Sequence, residues 1–156
     1  VFKLPAYKLK EGADVLPGID GQKMSKSYDN TIDPFLPEKK LRKTIMKIVT
    51  DSTPVEDVKD PDGCTVFQIF RAIAGADDPR TAELADRYRA GGMGYGDAKQ
   101  ALFEKFWEFF RPMREKRAEL VADLAQVEQV LRDGAERARA EAAGTLAAAR
   151  QAVGLA

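Results

Sequence analysis

Between Gly18 and Asn30 the chain reads "GIDGQKMSKSYDN", a stretch with two lysines three residues apart, two serines and no helical or strand period. Lysine is a flexible point charge that can follow a phosphate chain as it moves. The hydroxyls of Ser25 and Ser27, with the backbone amides around them, add neutral donors for phosphate oxygens. Gly18 and Gly21 permit the movement of a closing loop. Such a group suits a reaction in which charge builds on a departing polyphosphate, where catalysis is mostly positioning and electrostatics. On residue types alone, a solvated turn is the commoner meaning of a lysine-serine loop.

A second cationic group follows. From Glu38 to Val49 there are five cations, Lys39, Lys40, Arg42, Lys43 and Lys47, against one acid. Asp51 to Asp62 then reverses the balance, with five acids against Lys59. The net charge of the whole chain is zero. A neutral chain with one basic segment points to a directed anionic contact, not to general adhesion to nucleic acid. The alternative is a solvated helix face whose cations pair with the acidic loop.

The elements that must position these residues are mostly helical. Hydrophobic residues make up 44% and charged residues 32% of the 156, an ordinary core-forming composition. No stretch reaches the ~18 apolar residues of a membrane span, and nothing reads as a secretory signal. Cys64 is the one cysteine, so neither an internal disulfide nor a multi-cysteine zinc or iron–sulfur site can form within the chain. A reduced, cytoplasmic setting is the expectation.

"VFKLPAYKL" reads as a short strand, and one such strand cannot bury itself. With no methionine at Val1, the expectation is a piece of a larger protein. From Pro37 on, "PEKKLRKTIMKIV" places Leu41, Ile45 and Ile48/Val49 on one helix face. "CTVFQIFRAIAG" aligns Val66, Phe67, Phe70, Ile73 and Ala74 and stops at Gly75. "DPRTAELADRYRAGG" begins at an Asp cap and ends at a glycine pair. One long helix is expected from Asp97 to about Asp123. It should be kinked at Pro112 and buried on most sides through Leu102, Phe103, Phe106, Trp107, Phe109, Phe110 and Met113. A shorter helical piece and an Ala-rich final helix follow, the latter with Ala135, Ala138, Ala142, Leu146, Ala149 and Val153 on a close-packing face. "GGMGYG" is a helix stop, since Asp97 stands where a dinucleotide fingerprint needs its third glycine. Trp107 and Cys64 are expected in the core.

Lys23 to Ser27 spells KMSKS, a string that chance alone produces in a chain this long about once in ten thousand or more cases. It resembles the second signature of class I aminoacyl-tRNA synthetases. "KMSKSYDNTI", "LRKTIMKIVTDST", "DPDGCTVFQIF", "GMGYGDAKQ", "RPMREKRAEL" and "VLRDGAERAR" together resemble the C-terminal part of the bacterial tryptophanyl-tRNA synthetases, over essentially the whole chain.

That resemblance implies a fold and a set of roles. The fold would be mainly α: residues 1–33 as the edge of a Rossmann-type catalytic domain with the KMSKS loop, and residues 34–156 as a helical anticodon-binding bundle. Lys23 and Lys26 would stabilise the pyrophosphate leaving group as tryptophan's carboxylate attacks the α-phosphorus of ATP, which comes with Mg2+. Met24, Ser25 and Ser27 would complete the ATP contacts, and "GADV" nominates Val15 beside adenine. The partners implied are ATP, tryptophan and tRNA(Trp), with a homodimer for the full-length enzyme.

The basic face of Lys39, Lys40, Arg42, Lys43 and Lys47 is nominated for tRNA phosphates on charge alone. The family's histidine-bearing first signature cannot be present, because the chain has no histidine. By itself the chain is therefore expected to be inactive. Two other readings stand beside this one: a tyrosine-specific relative, and a non-catalytic RNA-binding or interaction paralogue.

Overall fold

The structure, a computed structural model, describes residues 1–6 and 15–155. The chain divides into two units, Gly12–Arg114 and a second formed by Val1–Glu11 with Glu115–Ala156.

In the first unit the secondary structure is helical, apart from an isolated antiparallel bridge between Pro17 and Lys23. A single 3-10 turn, Lys26–Tyr28, is followed by helices α1 (Glu38–Met46), α2 (Thr65–Ala74), α3 (Pro79–Ala90) and α4 (Tyr95–Phe109). Helix α2 packs against both α3 and α4, and α1 packs against α4. Their apolar faces meet in one core: Leu41 and Ile45 from α1, Val66, Phe67, Ile69 and Phe70 from α2, Leu84, Ala85 and Tyr88 from α3, and Ala98, Leu102, Phe103 and Phe106 from α4. Periodic apolar residues at three- and four-residue spacing form these helices because each buries a face on the others.

The ends of the helices follow local chemistry. Asp78 caps α3 by accepting from the Arg80 backbone N–H at 2.9 Å, with Pro79 at the first helical position. Gly91 ends α3 at φ 73°, where a side chain would be strained and its Cβ would stand 2.6 Å from the Glu56 carbonyl oxygen. Cys64 is buried as expected, its Sγ 3.3 Å from the Tyr88 hydroxyl. Burial, with Cys64 second, pushes the Tyr88 phenol far above its ordinary range.

Several expectations need correction. No strand forms among the described residues: 1–6 lack regular structure, and the rest of "VFKLPAYKL" lies outside them. A strand needs a neighbour to satisfy its backbone. The long helix from Asp97 is two helices, because α4 stops at Phe109 and α5 runs Arg111–Ala122. Pro112 has no N–H to continue the ladder, so it occupies a first turn instead of a kink. The expected all-round burial fails with it: Phe109 is 42% and Met113 43% exposed, and Trp107 is half-buried under the Arg114 guanidinium at 3.6 Å.

The second unit contains the rest of α5 and the 29-residue α6 (Leu124–Ala152), capped by Asp123 accepting from the Gln126 backbone N–H at 3.1 Å. Helix α6 runs through Gly134 and Gly144 without a break, so the two helices expected after Asp123 are one. None of its residues is buried, and Leu146 and Val153 are exposed. Its alanine, glutamate and arginine content carries the helix through propensity in place of packing.

Candidate functional site

The KMSKS loop is built on the first unit, with well-defined backbone hydrogen bonds. Gly18 N–H donates to the Gln22 carbonyl at 2.7 Å, and Met24 N–H donates to the Leu16 carbonyl at 2.8 Å. These bonds turn residues 16–24 back on themselves around Gly21 at φ 80°. The Met24 side chain, with Ile19, packs against the helical core, and Ile32 just beyond the loop is buried in it. The apolar residue inside the motif therefore anchors the loop, and the polar ones are left outside.

Lys23, Lys26 and Ser27 are exposed, while Ser25 is half-buried. The Ser25 hydroxyl accepts from the Ser27 backbone N–H at 3.2 Å and so caps the 3-10 turn that begins at Lys26. It retains its own proton for donation. Asp29, at φ 52°, ends that turn with its N–H on the Lys26 carbonyl. The loop thus presents two ammonium groups and two hydroxyls that can donate from a single short bend. Tyr28 is 61% exposed beside them. Val15 is also exposed, but residues 12–14 of its "GADV" lie outside the described residues.

Residues that the sequence pattern did not single out hold this bend. Asn30 is 1% exposed. Its Oδ1 accepts from the Ser25 backbone N–H at 2.8 Å, and its Nδ2 donates to the Asp20 carboxylate at 2.7 Å and to the Lys23 carbonyl at 3.1 Å. The Asn30 carbonyl in turn accepts from the Ile19 N–H at 2.9 Å. The available signal was weak: Asn and Asp within a glycine-containing turn, which occur in countless ordinary loops.

The backbone then joins this loop to the second cationic group. The Ile19 carbonyl accepts from the Val49 N–H at 2.8 Å, three residues past the end of α1. On α1 Lys39, Lys40, Arg42 and Lys43 are all exposed, as is Lys47 at its C-cap, and Leu41 and Ile45 face the core. Arg42 differs from the lysines, because it covers the Phe103 ring at 5.1 Å and donates to the Gln100 side chain.

Three of the five acids in the acidic segment are engaged elsewhere. Asp62 pairs with Arg71 at 2.6 Å, Asp60 accepts from the Asp62 and Gly63 backbone, and Asp51 accepts from the Tyr95 hydroxyl at 2.8 Å. Hydrogen bonds from Thr53, with Tyr95 adding to them, hold the Asp51 carboxyl below its usual range, and burial pushes the Tyr95 phenol up to about 12. Lys59, the cation inside this segment, is buried and donates to the carbonyls of Pro54, Val55 and Asp57. Among the described residues no ion pair joins an α1 lysine to an acid of this loop.

Fold and site together define a helical unit that carries an exposed cationic loop. Residues 1–111 match the family described as tRNA synthetases class I (W and Y), and the chain belongs to that family. Among curated proteins it is similar to a tryptophan–tRNA ligase of Rhodopirellula baltica, 49% identical over 154 residues, 99% of this chain and 48% of the relative. A tryptophan–tRNA ligase of Fusobacterium nucleatum is 43% identical, over 99% of this chain and 46% of its own length. Among solved structures, the Campylobacter jejuni tryptophanyl-tRNA synthetase complexed with ADP and tryptophan superposes with a TM-score of 0.80 at 40% identity, covering 95% of this chain and 46% of that one. The chain spans about half the length of these relatives.

Proposed function

We propose that this chain is the KMSKS-bearing part of a tryptophan–tRNA ligase, which activates tryptophan with ATP and transfers it to tRNA(Trp). The observation that carries the reading is the unaltered KMSKS string on an exposed, core-anchored bend, in a chain whose similar relatives are tryptophan–tRNA ligases. Lys23 and Lys26 would face the ATP phosphates and stabilise the pyrophosphate as it leaves, with Met24, Ser25, Ser27 and Val15 completing the nucleotide contacts. Charge developing on a leaving polyphosphate is where such donors act most strongly.

Residues 1–33 would form the edge of the catalytic domain, and 34–156 the helical domain for the anticodon arm. The lysines of α1 would hold tRNA phosphates. The full-length enzyme would be a cytoplasmic homodimer. Among the described residues no helix is long and apolar enough to cross a membrane, and no cluster of three or more acidic, cysteine or histidine side chains is formed to hold a metal. Mg2+ would come with the ATP phosphates.

The test is amino-acid-dependent ATP–pyrophosphate exchange by the full-length protein. Exchange with tryptophan and not tyrosine is the expected result. Exchange with tyrosine alone moves the reading to the sister specificity, and none with either amino acid removes it.

A further inference from the structure

The buried amide of Asn30 does more than form a turn. A turn-forming Asn bonds to its own backbone about two residues onward. Here the bonds reach back five, seven and ten residues, to Ser25 N–H, Lys23 carbonyl and Asp20 carboxylate. Their chemistry fixes which way the amide points, because a carbonyl needs a donor and an N–H needs an acceptor. The two motif bonds fall on either side of Met24, so one planar amide holds the peptide groups that flank the motif's anchor residue. Lysine side chains are flexible, and the direction in which Lys23 and Lys26 leave the bend must come from the backbone beneath them.

We propose that Asn30, oriented by Asp20, is a positioning residue that sets the mutual aim of Lys23 and Lys26 toward the departing polyphosphate. The polyphosphate part of this assignment rests on the function proposed above. Two further observations favour a clamp over a passive turn. Asp20 is itself oriented, since it also accepts from the Gln22 N–H at 3.0 Å. The amide also lies close against the backbone of Gly18, because a Cβ added there would stand 2.4 Å from it. A group held from both ends transmits its geometry to what it holds.

The experiment uses the full-length protein with Asn30→Asp, alone and combined with Asp20→Asn. The single variant keeps the volume and the acceptor for Ser25 N–H, but loses both donated bonds and sets two carboxylates against each other. The double variant returns a donor–acceptor pair between positions 20 and 30. Hydrogen exchange should run about tenfold faster at the amides of 23–28 in the single variant, with α2 and α4 unchanged. Its kcat for tryptophan-dependent exchange should fall about tenfold, with the tryptophan KM constant and partial recovery in the double variant.

Unchanged motif amides, equal acceleration throughout the core helices, or an unaltered kcat would each overturn the proposal. An unmodified protein with no exchange activity would remove the functional reading instead. The amide measurement would still decide whether Asn30 clamps the motif.

Discussion

The Arg42 guanidinium stands 5.1 Å over the centroid of the Phe103 ring and donates to the Gln100 side chain, so it ties α1 to α4. Of the five cations on α1, it is the one with a packing role. An exposed cation–π contact contributes about 0.5–1 kcal/mol. Arg42→Gln should lower the stability of the helical unit by roughly that amount in a urea titration. The same variant should alter the salt dependence of tRNA binding less than any α1 lysine replacement. A loss of tRNA affinity with unchanged stability would assign Arg42 to the nucleic acid instead.

Gly18 is a packing prediction. A Cβ there meets the Asn30 side chain at 2.4 Å and its carbonyl oxygen at 2.6 Å. Gly18→Ala should destabilise by about 1–3 kcal/mol, the usual cost of forcing an extra group into a filled site. It should also release the Ile19–Asn30 hydrogen bond, visible as faster exchange of the Ile19 amide. Gly96 is the internal control, since nothing lies within 4 Å of a Cβ at that position.

The contrast between these two sites shows what was legible in the sequence. Helices α1, α2 and α3 could be read because their apolar spacing, the Asp78 cap of α3 and the glycines that end α2 and α3 are local signals. The KMSKS residues were read as a string, but their support was not. Asn30 bonds back over as many as ten residues, and no periodicity marks such a contact. Pro112 was recognised as a disruption, yet its effect depended on whether Phe110 could end a helix, which tertiary packing decides. Helix α6 passes through two glycines because their cost of about 1 kcal/mol each is spread over a long run of good helix formers.

Acid should weaken the α3–α4 contact through Asp78. Its carboxylate accepts from the Arg80 guanidinium at 3.1 Å and from Lys105 at 2.8 Å, and Lys105 is itself only 10% exposed. These bonds, Arg80 first and then Lys105, hold the Asp78 carboxyl far below its ordinary value. A carboxyl depressed in the folded state adds stability above its unfolded pKa of about 3.9 and loses it as pH falls through the folded value. Glu108, also lowered by Arg80, acts in the same direction. Asp78→Asn keeps a competent cap but removes the charge. Thermal melts from pH 7 to pH 2 should show the variant less stable at neutrality and the gap closing in acid. No gap at neutrality would mean that the cap, which asparagine keeps, and not the ion pairs, is what Asp78 contributes.

Lys26 should act on rate more than on binding. In the full-length protein, Lys26→Ala should reduce kcat for tryptophan-dependent exchange by about a hundredfold or more, equivalent to roughly 2–4 kcal/mol of transition-state stabilisation. Tryptophan binding should hold, because the proposed role of this exposed residue is toward the ATP phosphates. A raised ATP KM with unaltered kcat would show that Lys26 supplies uniform binding only.

The α1 lysines make the opposite prediction, since they should matter only when tRNA is present. Lys39, Lys40, Lys43 and Lys47 are exposed, and among the described residues none forms an ion pair with the acidic loop. Surface pairs of that kind would contribute only ~0–1 kcal/mol in any case. Their helix buries Leu41 and Ile45, and its charged side is exposed. Each phosphate neutralised releases counterions and steepens the salt dependence by somewhat less than one unit on a log–log plot. Replacing all four lysines by glutamine should therefore spare tryptophanyl-adenylate formation, weaken tRNA binding and flatten its salt slope by about two to three units if most of the four touch phosphate. Affinity and slope equal to those of the unmodified enzyme would leave the α1 face as solvated charge and move the tRNA contact to another surface of the protein.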